Sequence, residues 1–107
     1  YDPRADRWRR GPDLPEPMSA MAVGVVGGRL HVAGGEDPDL LGGTIDAHFS
    51  LGPGERTWER ASRPLLPVHG AAFGVAGDRL FVAGGASRQG ALSVVSWTGV
   101  TQAFEPD

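Results

Sequence analysis

The chain contains no cysteine, no lysine and no asparagine. Without cysteine it has no disulfide, no thiol nucleophile and no thiolate metal ligand, and the compartment is left open. Without asparagine it has no N-linked glycosylation acceptor. Every basic residue is an arginine, a bias that matches a GC-rich, bacterial type of coding better than any binding requirement. The net charge of −3, with signs interspersed, offers no basic stripe for a phosphate backbone, so nucleic acid is not an expected partner. Glycines interrupt the apolar stretches well short of the roughly 18 residues of a membrane span. The opening "YDPRADRW" is neither a start methionine nor a signal peptide, and the chain is expected to be cut from something longer or processed.

What the sequence does contain is repetition. "GVVGGRLHVAGG" (Gly24–Gly35) returns fifty residues later as "GVAGDRLFVAGG" (Gly74–Gly85). Between Pro17 and Gly35, 11 of 19 positions match their counterparts without a gap. The same offset lays Trp8 on Trp58 and Arg10 on Arg60. A third register opens with "FEPD" (Phe104–Asp107), which parallels "YDPR" at the start. A fixed long period is the mark of a repeat architecture and is read before any local pattern.

Each period predicts four short strands. The first covers Ala20–Val26 (Gly70–Ala76 in the second copy) and ends at a two-residue turn, Gly27-Gly28 or Gly77-Asp78, suited to the positive φ of tight hairpins. The second, "RLHVAGG" or "RLFVAGG", alternates apolar and polar residues and stops at a glycine pair. After a variable loop the third covers Thr44–Leu51, and about Val100–Phe104. The fourth lies around Trp8 or Trp58. Proline-rich segments then cross to the next unit. The fold class expected is all-β, in four-stranded antiparallel blades of a propeller. A glycine pair after a hydrophobic strand, with an aromatic seven residues before a tryptophan (Tyr1 and Trp8), resembles the kelch repeat. Leu51 replaces the aromatic before Trp58, so that copy departs from the pattern.

The resemblance implies residues 1–16 as the end of one blade, 17–61 as a complete blade, and 67–107 as most of a third lacking its last strand. A ring closes with about four to eight blades. The chain therefore needs others, either the remaining blades of a longer propeller or two further copies forming a ring. The repeated residues Tyr1, Trp8, Gly34, Gly35, Trp58, Gly84, Gly85 and Phe104 read as structural, with each tryptophan filling the wedge between blades. The glycine pairs lack the further glycines and the following helix of a phosphate loop. Arg29 and Arg79 read as turn or salt-bridge residues.

Candidate contact residues come from the variable loops and inter-blade segments: Glu36, Asp37, Asp39, Arg63, His69, Arg88, Gln89 and Trp97. They would serve an unidentified protein or carbohydrate ligand. His31, His48 and His69 occupy unmatched positions and read as isolated; their spacing fits no metal motif. The acidic cluster with Asp46 lacks the EF-hand spacing. No catalytic residue, metal or cofactor is assigned. The first expectation is a non-catalytic binding scaffold. The alternative is part of a larger carbohydrate-active or oxidising propeller enzyme, with Arg63, His69, Arg88 or Asp46 near its channel and its catalytic groups outside this chain. The copper-radical oxidases of this family need a Cys–Tyr pair, and with no cysteine and a single tyrosine this chain cannot hold that site by itself.

Overall fold

A computed structural model describes residues 1–37, 39 and 43–106. The chain is all-β, built from two antiparallel sheets of four and three strands. The first sheet runs in the order β1 (Ala22–Val26), β2 (Arg29–Ala33), β3 (His48–Leu51) and β4 (Glu59–Arg60). The second runs β5 (Ala72–Ala76), β6 (Arg79–Ala83) and β7 (Thr101–Phe104). Both start with a tight hairpin in the same register, Ala22 facing Ala33 and Ala72 facing Ala83. Gly27 and Gly28 carry the positive φ that the first turn requires, +58° and +74°. In the second turn Gly77 does so alone, at +61°, and Asp78 stays in the ordinary region.

The strands are shorter than the sequence predicts, and backbone conformation gives the reason. Gly34 and Gly35 (φ +68° and +98°) and Gly84 and Gly85 (+72° and +87°) turn the second strand out of the sheet. Their neighbours still run alongside: the Gly34 amide donates to the Ala47 carbonyl and the Ile45 amide to the Gly35 carbonyl. The regular ladder resumes only at His48. Ala20 (φ +53°) and Gly70 (+63°) likewise delay the start of the first strand in each sheet.

Two expectations need correction. Around Trp8 no fourth strand forms; the segment makes only an isolated bridge between Asp2 and Arg7. Trp8 is 80% exposed and lies on Tyr1, ring centroids 5.2 Å apart. It fills no wedge because no sheet stands beside it among the described residues. Trp58 does pack. With Leu14, Met18, Met21 and Val23 it covers the buried cluster of Val32, Ile45, Ala47 and Phe49, and its indole N–H donates to the Pro12 carbonyl at 3.1 Å. The later loop also contains a short 3₁₀ helix, Gly90–Val95, which the sequence reading missed. The positions 38, 40–42 and 107 of the predicted loop and terminal motif lie outside the described residues.

The sheets stack face to face. Side chains alternate across a strand, so Gly24, Val26, His31 and His48 share the face that meets the second sheet. A Cβ on Gly24 would sit 2.6 Å from Val75 Cγ2 and 2.9 Å from Leu80 Cδ1. Glycine there lets the sheets approach. The segment between them is stitched to both: the Gly35 amide donates to Val68 O, the Gly70 amide to Ala20 O, and His69 exchanges two backbone bonds with Ala86.

Candidate functional site

The inter-blade segments and the variable loops meet at one end of the sheets, because each segment pairs with the start of a loop. Ser19 bridges Glu36, and His69 bridges Ala86. Side chains then tie the two loops together. Gln89 Nε2 donates to the Asp37 carbonyl at 2.7 Å, and Thr44 Oγ1 to the Pro67 carbonyl at 3.0 Å. His69 Nε2 donates to the Arg88 carbonyl at 2.7 Å, since a carbonyl can only accept. Its Nδ1 faces Glu36 Oε2 at 3.7 Å. That contact becomes an ion pair only when the imidazole gains a second proton.

Of the eight predicted contact residues, Glu36, Asp37, His69, Arg88 and Gln89 thus share one surface. Asp39 is exposed, and its amide donates to the Asp37 carboxylate. Trp97 follows the 3₁₀ helix, bridges Ala86 through its backbone, and is 76% exposed. Arg63 stands apart from this group, paired with Asp46 at 3.3 Å in solvent; a pair so exposed adds little to stability. Gln89 is buried at 8% exposure, so it spans the two loops more than it offers itself to solvent. The surface carries both signs of charge, backbone carbonyls and one exposed indole.

A second constellation escaped the sequence reading. His31 and His48 are not isolated: both are buried, at 3% and 2% exposure, and their rings touch Phe104. Their protonation follows from one neighbour. His48 Nδ1 lies 2.7 Å from the Ser62 carbonyl and must donate to it. His48 Nε2 is then an acceptor, and His31 Nδ1 donates to it at 2.9 Å. His31 Nε2 is left with a lone pair, buried and without a hydrogen-bond partner. Burial lowers the pKa of both rings from the ordinary value of 6.5. For His31 the neighbouring His48 and Arg29 push the same way, while the Val26 carbonyl, short of hydrogen-bond geometry, partly offsets them. The spacing of seventeen residues gave no hint, because the contact arises from strand register across β2 and β3.

Arg29 behaves as its repetition predicts. It donates to Ser50 and to both oxygens of Glu55, and also reaches Glu59 at 3.1 Å. This clamp raises the Arg29 pKa and lowers that of Glu55. Arg79 makes the simpler version with Glu105.

No family model matches the chain. Among curated proteins it is similar to Kelch-like protein 35 of Mus musculus, at 39% identity over 54 residues. The match takes in 50% of this chain and 9% of that protein. Together with the paired antiparallel sheets, this similarity is consistent with a segment of a kelch-type propeller, one that leaves sheet faces in need of further blades.

Proposed function

We propose that the chain belongs to the kelch repeats and works as a non-catalytic binding scaffold, holding a protein ligand with the loops at one end of its blades. Residues 1–16, 17–61 and 67–107 are taken as the end of one blade, a whole blade and most of a third. The observation that carries the reading is the cross-loop bond from Gln89 to Asp37. It joins loops of two separate sheets into one surface, which a scaffold needs and a set of independent loops would not provide. Rigid strands below and variable residues above are the usual division of labour in such folds.

The test is a cross-linking capture experiment with the whole chain as bait. Asp39→Ala, Arg88→Ala and Trp97→Ala together remove exposed groups without touching the bonds that tie the loops. Capture should fall at least tenfold while the melting temperature holds. Asp78→Ala, at the hairpin turn of the opposite end, should leave capture intact. Equal capture by the loop variant would remove the basis of the proposal.

A further inference from the structure

Between the two sheets lies a cavity of about 350 Å³. Its walls include Ser62, Pro64, Leu66, Val68, Val82 and Phe104. The repeat identifies its shape. In the first sheet Leu51 faces Leu30, and seven residues on Trp58 packs on a cluster covered by Leu14 and Met18, its N–H on the Pro12 carbonyl. Moved forward by one period of fifty residues, Pro12, Leu14, Met18 and Val32 become Ser62, Pro64, Val68 and Val82. All four line the cavity. Phe104 faces Leu80 just as Leu51 faces Leu30. The cavity is the counterpart of the Trp58 seat, without an indole in it.

Beside the cavity runs a sheet edge. In the first sheet the outer side of β3 pairs with β4 through Phe49–Arg60 and Ser50–Glu59. The equivalent side of β7 pairs with no strand among the described residues. The same chain carries a segment of the required kind at its other end. Trp8 stands seven residues after Tyr1, as Trp58 does after Leu51, and Arg10 matches Arg60. Trp8 is 80% exposed, and the residues 8–10 join no strand.

We propose that the Trp8–Arg10 segment of a second copy adds to the outer edge of β7 and seats its indole in this cavity. Main-chain bonds of the added strand supply affinity and the indole supplies register, as in other strand-addition contacts. Tyr1 and Asp2 of the incoming copy duplicate Phe104 and Glu105 of the receiving one. The turn between Asp2 and Arg7 therefore opens on docking. Each copy both gives a strand and receives one, so the contact is heterologous, and it makes a ring where its rotation closes on the four to eight blades of a propeller. Three chains make six blades. The inference rests on the repeat geometry alone, and a chain that assembles yet captures no ligand would sink the loop reading and not this one.

Sedimentation equilibrium of the whole chain, from about 1 to 200 µM, reads the assembly directly. The expected mass rises with concentration toward three times the 11.2 kDa chain. Trp8→Ala and Leu66→Glu should each weaken association at least tenfold, and removal of residues 1–5 should preserve or strengthen it. A mixture of Trp8→Ala with Leu66→Glu should form a 1:1 complex, because one variant keeps the cavity and the other keeps the indole. Trp8→Ala alters an exposed residue and so decides the matter alone if Leu66→Glu fails to fold. A chain that stays monomeric throughout, or assembles equally well with Trp8→Ala, overturns the proposal.

Discussion

The two sheets begin with nearly the same dozen residues and end in different states. In the first, Val26, Val32 and Phe49 are 1–4% exposed, and Trp58 closes one face. In the second, every residue of β5 is exposed, Phe73 by 50% and Val75 by 42%, although the alternation of side chains is the same. Leu80 alone matches the burial of the first sheet, at 1%, because it stands on the middle strand of its sheet and packs against Gly24 of the first, whereas β5 is an edge strand. Burial here is conferred by what stands next to a blade. The pattern within a blade fixes only which face is ready to be covered. The difference also shows in the arginine clamps, since Arg29 holds Ser50 and two glutamates where Arg79 holds one.

The sharpest way to test this contrast is at the first glycine of each pair. A Cβ on Gly34 would lie 2.6 Å from the Val68 carbonyl, a backbone atom of the crossing segment. On Gly84 the nearest atom would be the Thr98 carbonyl, at 3.6 Å. Gly34→Ala should therefore cost about 3 kcal/mol, combining positive-φ strain with a clash that backbone must relieve. Gly84→Ala should cost only the conformational strain, about 1 kcal/mol. Equal losses in urea titrations would mean that the crossing segment is not held where it is described.

The next contrast is chemical. Counterparts of His31 and His48 in the second sheet are Phe81 and Thr101, from the shared register. Both histidine pKa values are lowered in the folded chain. The unfolded chain then binds more protons below its ordinary value of 6.5, so stability is full above that pH and declines as pH falls beneath it. The double variant His31→Phe with His48→Thr copies the second sheet into the first. It should lose less melting temperature than the parent between pH 7 and pH 5; parallel curves would show that the pair titrates as it does in the unfolded chain.

The smallest effect concerns the entry to each first strand. Ala20 adopts φ +53° where the second copy has Gly70 at +63°. Ala20→Gly should stabilise by a few tenths of a kcal/mol, relief of left-handed strain outweighing the added freedom of the unfolded chain. Gly70→Ala should destabilise by about 1 kcal/mol, with no steric part, since a Cβ there meets nothing within 4 Å. Chemical denaturation of both variants checks the opposed signs.

Much of this frame was legible because it is written locally. Turn glycines, alternation and the glycine pairs act over a few residues, and their repetition removed ambiguity about period. Where the reading failed, the cause was distance. The exposure of Trp8 depends on whether a sheet stands beside it, and none does among the described residues, while the His31–His48–Phe104 contact joins residues from two sheets. The 3₁₀ helix at Gly90–Val95 has no capping side chain and no charge in its end turns, so it left no sequence trace. On the loop surface, position in the variable loops and inter-blade segments pointed to Glu36, Asp37, His69, Arg88 and Gln89, which lie together. It could not show that Gln89 would be a buried tie, or that Arg63 would turn aside toward Asp46.

The second glycine of each pair has a wider consequence. A Cβ on Gly35 would reach within 2.5 Å of the Ser19 carbonyl, and one on Gly85 within 2.8 Å of that of His69. At these points the chain leaves the ladder through a gate that admits nothing larger than hydrogen. Beyond the gate and its first backbone bonds, length and composition can change while the strands behind keep their register. Mutational drift can then rewrite the loop tips without renegotiating the frame, and the two unlike loops of this chain already sample that freedom.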